Sequence, residues 1–192
     1  MPVRPVFPFT PKMRSKALTL HDPSQLSGQF TKAWRDTDHF VQYLSRRHQI
    51  HRILDPVVTV NTGLSERLQG DLLSLDTEWK RHCVPADNQY ANYLCTLDTQ
   101  HARQKLIAHY YAFVLAHLVG GGQTIARSAA SVVPAGYVEN SWYYNLEDAD
   151  LLAKTIVRDI DDEAVYWTLD QEQTCLDELD TAFCFGLQIM HQ

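Results

Sequence analysis

Apolar side chains recur at steps of three and four residues along most of this chain, and that spacing is typical of helices with one buried face. The clearest run is formed by Leu64, Leu68, Leu72, Leu75 and Trp79. Strand-like alternation is confined to residues 57–60, a stretch too short to seed a sheet. The pattern therefore predicts an all-α fold.

Prolines and glycines divide this pattern into separate helices, because both residue types interrupt helical backbone. The predicted helices cover residues 12–22, 30–55, 64–79, 88–98, 100–119, 123–132, 146–167 and 175–190. Residues 1–11 contain four prolines and are expected to form an extended N-terminal arm. With no repeat and no internal linker, residues 12–192 are predicted to form one helical bundle domain.

Composition narrows the function classes. Hydrophobic residues make up 45% of the chain and charged residues 21%, which is typical of a globular protein. The formal net charge of −6 argues against a general nucleic-acid binder. No apolar run approaches the roughly 20 residues that a membrane-spanning helix needs. We therefore expect neither a nucleic-acid partner nor a membrane span. We also expect a monomer.

Three consecutive glycines, Gly120, Gly121 and Gly122, follow a strongly helical stretch. Each glycine costs about 1 kcal/mol relative to alanine inside a helix, so the run needs a reason. One reason is a helix end or tight helix packing; the other is a kink where bare backbone lies against a flat ligand. Tyr111 and His117 precede Gly121 by ten and four residues, and the three could line one side of such a ligand.

Two further pairs carry possible chemistry. Arg14 and His21 are seven residues apart, so they share a helix face, and a neutral imidazole is a common axial ligand of haem iron. Lys154 and Arg158 are four apart, and two cations at that spacing become favourable when an anion lies between them. The alternatives are a helix-end histidine and solvated surface cations. A second group of histidines is expected on a solvated polar face: His39, His48 and His51.

Two segments resemble the haem oxygenases of plants and algae. The segment MRSKALTLH at residues 13–21 is similar to their proximal-helix motif, in which an MR pair precedes the ligand histidine by the same interval. The segment HYYAFVLAHLVGG at residues 109–121 is similar to their distal-helix motif, with its HxY, AH and GG elements. Looser matches at residues 64–79, 154–158 and 175–190 extend the resemblance over most of the chain.

The resemblance implies a fold in which haem is sandwiched between a proximal helix and a kinked distal helix. It implies an iron ligand at His21 with Gln25 near it, distal haem contacts and catalytic roles for Gly120 and Gly121, a catalytic distal water network held by Tyr111 and His117, and propionate contacts from Arg14, Lys154 and Arg158. In this arrangement His117 stands where many animal and bacterial relatives have aspartate. Gly122 and Gln123 depart from the Arg-Met pair that plant enzymes tend to carry after the glycines.

The implied activity is the oxidative opening of haem, as both substrate and cofactor, to biliverdin, carbon monoxide and ferrous iron with O2. The implied electron donor is ferredoxin, an acidic protein that would dock on a basic patch formed by Lys12, Arg14, Lys16 and Lys154. The location would be the plastid stroma if a transit peptide has been removed, and the cytoplasm otherwise. Two alternatives are a non-catalytic haem carrier or sensor of the same fold and a haem-free helical scaffold.

Overall fold

The computed structural model describes residues 8–20, 34–83, 88–100 and 102–189, and within these ranges every regular element is helical. The α-helices are α1 (Thr10–Leu20), α2 (Thr37–Leu54), α3 (Leu64–Leu75), α4 (Gln89–Thr99), α5 (Arg103–Tyr110), α6 (Gly122–Ala129), α7 (Tyr137–Asn140), α8 (Ala149–Ala164) and α9 (Leu169–Gln188). Two π-helical segments, Tyr111–Leu115 and His117–Gly121, join α5 to α6. Short 3-10 turns cover Asp55–Val57 and Trp79–His82.

The all-α prediction is confirmed, with different ends for several helices. Helix α2 begins at Thr37 rather than residue 30, because the Asp36 side chain accepts the His39 amide at 2.8 Å and caps the helix there. Helix α3 ends at Leu75, so Trp79 lies beyond the predicted stripe. Asp76 adopts extended backbone at that point, and its side chain accepts the Glu78 amide at 2.8 Å. Residues 57–60 contain no strand.

The helices pack around one hydrophobic core. Helix α9 lies along α5, α2 packs against α3 and α4, and α1 packs against α8 and α9. Large side chains such as Phe40, Tyr90 and Leu179 are fully or almost fully buried between them. Among the described residues, no helix is both long enough and apolar enough to cross a bilayer.

Helix α1 is attached to the bundle by a carboxylate on α8. The Asp161 carboxylate accepts the backbone amides of Phe9 and Thr10 at 2.8 and 2.7 Å, and the Thr10 hydroxyl at 2.9 Å. These are donors that a helix N-terminus otherwise leaves unsatisfied, and the negative charge also favours the helix dipole. Met13, fully buried, faces the core. The position of α1 relative to α8 is therefore fixed at its first turn.

A buried carboxylate joins α4, α5 and α9. Glu178 on α9 accepts hydrogen bonds from the Tyr93 hydroxyl at 2.6 Å and His109 Nε2 at 3.1 Å, and it pairs with Lys105 Nζ at 3.2 Å. His109 Nδ1 lies 2.9 Å from the Tyr90 hydroxyl, which donates to it. Burial raises the pKa of Glu178, but the bonds from His109, Tyr93 and Lys105 outweigh it and lower that pKa to about 2.

This cluster predicts a specific acid sensitivity. A carboxyl group whose pKa is lowered by folding stabilises the protein above its ordinary pKa of 4.5, and that contribution is lost as the pH falls towards about 2. We expect Glu178→Gln to lower the free energy of unfolding at neutral pH by about 1.5–3 kcal/mol and to flatten its fall over the acid range. Urea unfolding at a series of pH values measures both effects.

The matched control is Asp177→Asn, on the exposed side of the same helix, where the carboxylate bonds Gln173 at 2.7 Å. It should change stability by no more than about 0.5 kcal/mol. Equal effects of the two substitutions would contradict the role given to Glu178.

Candidate functional site

A cavity of roughly 760 Å³ lies between α1, the π-helical segments, α8 and α9. Its volume is in the range of pockets that enclose small-molecule ligands and cofactors. The lining residues are Thr10, Pro11, Arg14, Ala17 and Leu18 from α1, Tyr111, Leu115, Ala116 and Val119 from the π-helical segments, Asp150, Ala153, Lys154 and Val157 from α8, and Phe183 from α9.

The lining is mostly apolar, with a few polar groups at defined places. Arg14 and Lys154 bring positive charge from two different helices, and Tyr111 brings a phenol hydroxyl. Burial raises the pKa of Tyr111, although the nearby charge of Arg14 opposes the shift, so the phenol is neutral and can donate a hydrogen bond. Such a cavity suits a ligand with a broad apolar body and carboxylates at one edge.

The helical segment 103–129, named here the kinked helix, forms one wall of the cavity. Its backbone departs from α-helix twice, because the Ala116 amide bonds the Tyr111 carbonyl and the Gly122 amide bonds the His117 carbonyl, both five residues back. Gly120 then takes φ 124°, a region that side chains disfavour. Wide turns of this kind are frequent at functional sites.

The structure gives each of the three glycines a reason within the helix itself. Gly120 needs its positive φ. A Cβ on Gly121 would lie 2.7 Å from the Ala116 carbonyl oxygen, and one on Gly122 would lie 2.4 Å from the His117 ring. Gly120 and Gly121 are exposed, and neither lines the cavity. Backbone conformation at Gly120 and close contacts at Gly121 and Gly122 explain the run, and contact with a flat ligand stays a prediction.

His117 lies on the core side of the kinked helix, whereas Tyr111 lies on the cavity side. Its ring stacks on Tyr143 with centroids 4.2 Å apart, and its Nε2 lies 3.1 Å from the Tyr143 carbonyl oxygen. His117 is not among the residues that line the cavity. Burial, then the positive charge of Arg47, hold its pKa well below the ordinary value, so the ring is neutral.

Comparisons with known proteins bear on this architecture. No family model matches the chain. A rice (Oryza sativa subsp. japonica) protein, chloroplastic heme oxygenase 1, is 25% identical over 207 aligned positions, which cover 93% of this chain and 68% of the rice protein. The predicted resemblance to the haem oxygenases of plants and algae is therefore confirmed as a sequence similarity.

Solved structures show the same fold. Heme oxygenase 2 from Chlamydomonas reinhardtii, crystallised without heme, superimposes with a TM-score of 0.73 at 18% identity, and the match covers 96% of each chain. The heme oxygenase from Leptospira interrogans gives a TM-score of 0.67 at 16% identity, over 96% of this chain and 99% of that one. The predicted haem oxygenase fold, with a kinked helix facing α1, is confirmed.

The cations predicted to meet propionates separate into two groups. Arg14 and Lys154 line the cavity, whereas Arg158 is exposed one turn further along α8 and does not. Within the described part of the chain, none of the three forms an ion pair. The other two cations of the predicted basic patch already form ion pairs. Lys12 pairs with Glu172 at 2.6 Å, and Lys16 pairs with Asp180 at 2.7 Å. The predicted basic patch is therefore reduced to Arg14 and Lys154.

His21 and Gln25 lie outside the described residues, and their roles stay predictions. Helix α1 is described up to Leu20, the residue before His21. Among the described residues, no group of three or more His, Cys, Asp or Glu side chains could hold a metal ion. Haem iron needs a single protein ligand, so this finding is compatible with ligation by His21.

Sequence reasoning missed the polar residues of α2. His39, His48 and His51 were expected in solvent, but all three are buried, and His51 is fully so. Arg47 is 5% exposed and donates to the Tyr143 hydroxyl from Nε at 2.8 Å. The available signal was position: Arg47 falls three and four residues from Ile50 and Tyr43, on the buried face of the helix.

Gly120 gives a direct test of the kink. Gly120→Ala puts a side chain at φ 124° with no neighbouring atom within 4 Å, so only backbone strain opposes it. We expect a loss of about 1–3 kcal/mol in the free energy of unfolding. Gly186→Ala on α9 is the control, since that site is also open but has ordinary helical φ. There alanine should be neutral or stabilise by up to about 1 kcal/mol. Two equally tolerated alanines in chemical denaturation would contradict the kink at Gly120.

Proposed function

We propose that this protein is a haem oxygenase that opens haem to biliverdin, carbon monoxide and ferrous iron, with O2 as oxidant and ferredoxin as electron donor. The observation that supports this most is the apolar cavity between α1 and the kinked helix, in a chain with the fold and sequence likeness of that family. Three of the residues predicted from sequence lie around this one cavity: Arg14, Tyr111 and Lys154.

The cavity residues fit haem. The porphyrin is a flat apolar ring with two propionates, and the small side chains of Ala17, Ala116 and Ala153 leave space for such a plane between the helices. Arg14 and Lys154 would bind the propionates by charge-assisted hydrogen bonds. Among the described residues, Asp150 is the one carboxylate in the lining. It lies four residues before Lys154, and we expect it to remain in solvent when a propionate is bound.

The iron ligand in this proposal is His21. In sequence it follows Leu20, the last described residue of α1, and lies seven residues after Arg14. Asp161 and the ion pairs of Lys12 and Lys16 fix α1 against α8 and α9. Gln25 would lie close to the ligand. A neutral imidazole at this position would hold the haem iron through one nitrogen.

Haem would supply the iron centre that binds O2 and the carbon ring that is cut. The described residues bind, orient and exclude water around it. Leu115, Val119 and Phe183 close the cavity with apolar surface. Tyr111 keeps its proton, because burial raises its pKa, and it would donate a hydrogen bond to a group bound in the cavity. His117 lies behind the cavity wall, so its contribution to the distal water network would pass through the kinked backbone.

The partners and location follow from the family likeness. We propose a monomer whose electron donor is ferredoxin, as in plant-type relatives. Its location would be the plastid stroma if it comes from a photosynthetic eukaryote and a transit peptide has been removed, and the cytoplasm otherwise. The docking surface would be small, since two of the four predicted basic residues are already paired with Glu172 and Asp180.

Removal of the proposed ligand tests the site. We expect hemin to bind with the Soret band of a histidine-ligated ferric haem and to be converted to biliverdin when a reductant and O2 are supplied. His21→Ala should abolish that spectrum and the turnover, and added imidazole should restore the spectrum by filling the space of the lost ring. His82→Ala, at a histidine outside the cavity lining, is the control and should behave as the wild type.

Each alternative has its own result in this experiment. An unchanged spectrum in His21→Ala would assign the ligand to another histidine. Hemin binding without biliverdin would favour the carrier or sensor, and no binding at all would favour the scaffold.

The positions of Lys154 and Arg158 predict which of them controls the isomer of biliverdin that is formed. Lys154→Ala should weaken hemin binding by no more than about fivefold, because exposed charge pairs contribute little. It should, however, let the ring rotate, so that chromatography shows a mixture of biliverdin isomers. Arg158→Ala should have the smaller effect, since only Lys154 lines the cavity. A single unchanged isomer even in the Lys154→Ala, Arg158→Ala double variant would remove both residues from the site.

A further inference from the structure

The loop at residues 141–144 is fixed to α3 through its backbone and to α2 through the side chain of Tyr143. The Asp71 carboxylate on α3 accepts the amides of Trp142 and Tyr143 at 2.9 and 3.2 Å, and the Ser141 hydroxyl also donates to it. Asp71 is itself 4% exposed. The backbone of Tyr143 is therefore held in one place under the kinked helix.

The side chain of Tyr143 is held as firmly as its backbone. Arg47 Nε donates to its hydroxyl at 2.8 Å, and the hydroxyl in turn donates to His51 Nε2 at 2.7 Å. The guanidinium of Arg47 stacks over Phe113, 4.0 Å from the ring centroid. Hydroxyl, ring and carbonyl of Tyr143 are thus all fixed, and the last two are the groups that contact His117.

These contacts decide which nitrogen of His117 carries the proton. The Tyr143 carbonyl can only accept, so His117 Nε2, 3.1 Å away, must donate. A neutral ring then has its lone pair on Nδ1, which makes no hydrogen bond with the described residues. Any Cβ at position 122 would lie 2.4 Å from Nδ1 and Cε1, so the ring reaches this orientation only because residue 122 is glycine.

The charges around His117 all disfavour a protonated ring. From α2 it faces Arg47, a permanent cation, and His51, whose ring centroid lies 6.5 Å away. From the 141–144 loop it faces Tyr143 and Tyr144, both of which stay neutral because burial raises their pKa. No described carboxylate contacts His117. The carboxylate of Asp55 lies on the far side of His51, 3.6 Å from His51 Nδ1.

We propose that Tyr143, Arg47 and Gly122 are positioning residues that hold His117 as a neutral imidazole with its proton on Nε2 and its lone pair on Nδ1. His117 is then a fixed hydrogen-bond acceptor beside the kink, and it does not act as an acid. A role for this acceptor in the distal water network, reached through the kinked helix, rests on the proposed function, but the tautomer itself does not. The glycine at position 122, where plant relatives tend to carry arginine, belongs to this arrangement.

Nitrogen NMR of the haem-free protein, labelled with 15N-histidine, tests the proposal directly. The His117 signals are assigned by their absence in His117→Gln. We expect a protonated Nε2, an unprotonated Nδ1 and no titration between pH about 5 and 8, where an ordinary histidine titrates. A proton on Nδ1, or an ordinary titration of His117, would overturn the proposal.

Variants separate the three positioning residues. Gly122→Ala should displace the ring and give His117 a titration near that of a free histidine, whereas Gly186→Ala should leave its signals unchanged. Arg47→Met keeps length and removes charge, so the titration midpoint of His117 should move upward, followed to pH about 4. Tyr143→Phe keeps the ring and the carbonyl, and the Nε2 proton should stay in place. Unchanged His117 signals in both Gly122→Ala and Arg47→Met would refute the positioning roles.

This test is independent of haem chemistry. If His117 has the expected tautomer but the protein makes no biliverdin, the proposed function is wrong and the inference about the tautomer remains supported. If biliverdin is made, the rate of the wild type should show no ionisation from His117 over pH about 5 to 8.

Discussion

A cavity of roughly 760 Å³ stays open inside a helical bundle only if the helices on its two sides are held in place by contacts outside it. On one side, the Asp161 carboxylate fixes the first turn of α1 at its N-terminus. On the other, the kinked helix takes two wide turns and a positive φ at Gly120, so its backbone bends around the cavity. Binding and any chemistry depend on these two walls.

The kinked helix is supported from behind by an unusual core. Arg47 is a buried cation that bonds the hydroxyls of Tyr143 and Tyr43 at 2.8 and 3.0 Å and stacks over Phe113. Bonds to neutral oxygens and an aromatic face compensate its charge only in part, and such groups persist where they fix a geometry. Here the geometry is that of Tyr143, and through it that of His117. The cavity side and the core side of one helix therefore have separate tasks.

Periodicity predicted the helices well and their polar contacts poorly. Leu64, Leu68 and Leu72 are all fully buried on α3, as their spacing indicates. The start of α2 was misplaced because the Asp36 cap is a local hydrogen bond that an apolar pattern does not reveal. His51 was misread because a histidine on a helix counts as polar until its partner, here Tyr143 far along the chain, is known.

The site shows the same division. The likeness of the motifs predicted that Arg14, Tyr111 and Lys154 serve one site, and all three line the same cavity. A family motif carries three-dimensional information that residue spacing alone lacks. The likeness gave no sign of the π-helical turns, because such turns are rare and are defined by backbone hydrogen bonds that no residue motif specifies. It also did not explain Gly122, whose reason is the His117 ring 2.4 Å from where a Cβ would lie.

The central claim is that haem enters the cavity between α1 and the kinked helix, and paramagnetic broadening of amide signals locates it. Ferric haem should broaden the amides of Ala17, Ala116 and Ala153, which line the cavity, and spare those of α4, which do not. A matched sample that contains diamagnetic zinc protoporphyrin instead of ferric haem should show these signals without the broadening. Broadening centred on another surface, such as the groove lined by Arg52, Asp55 and Thr59, would contradict the account.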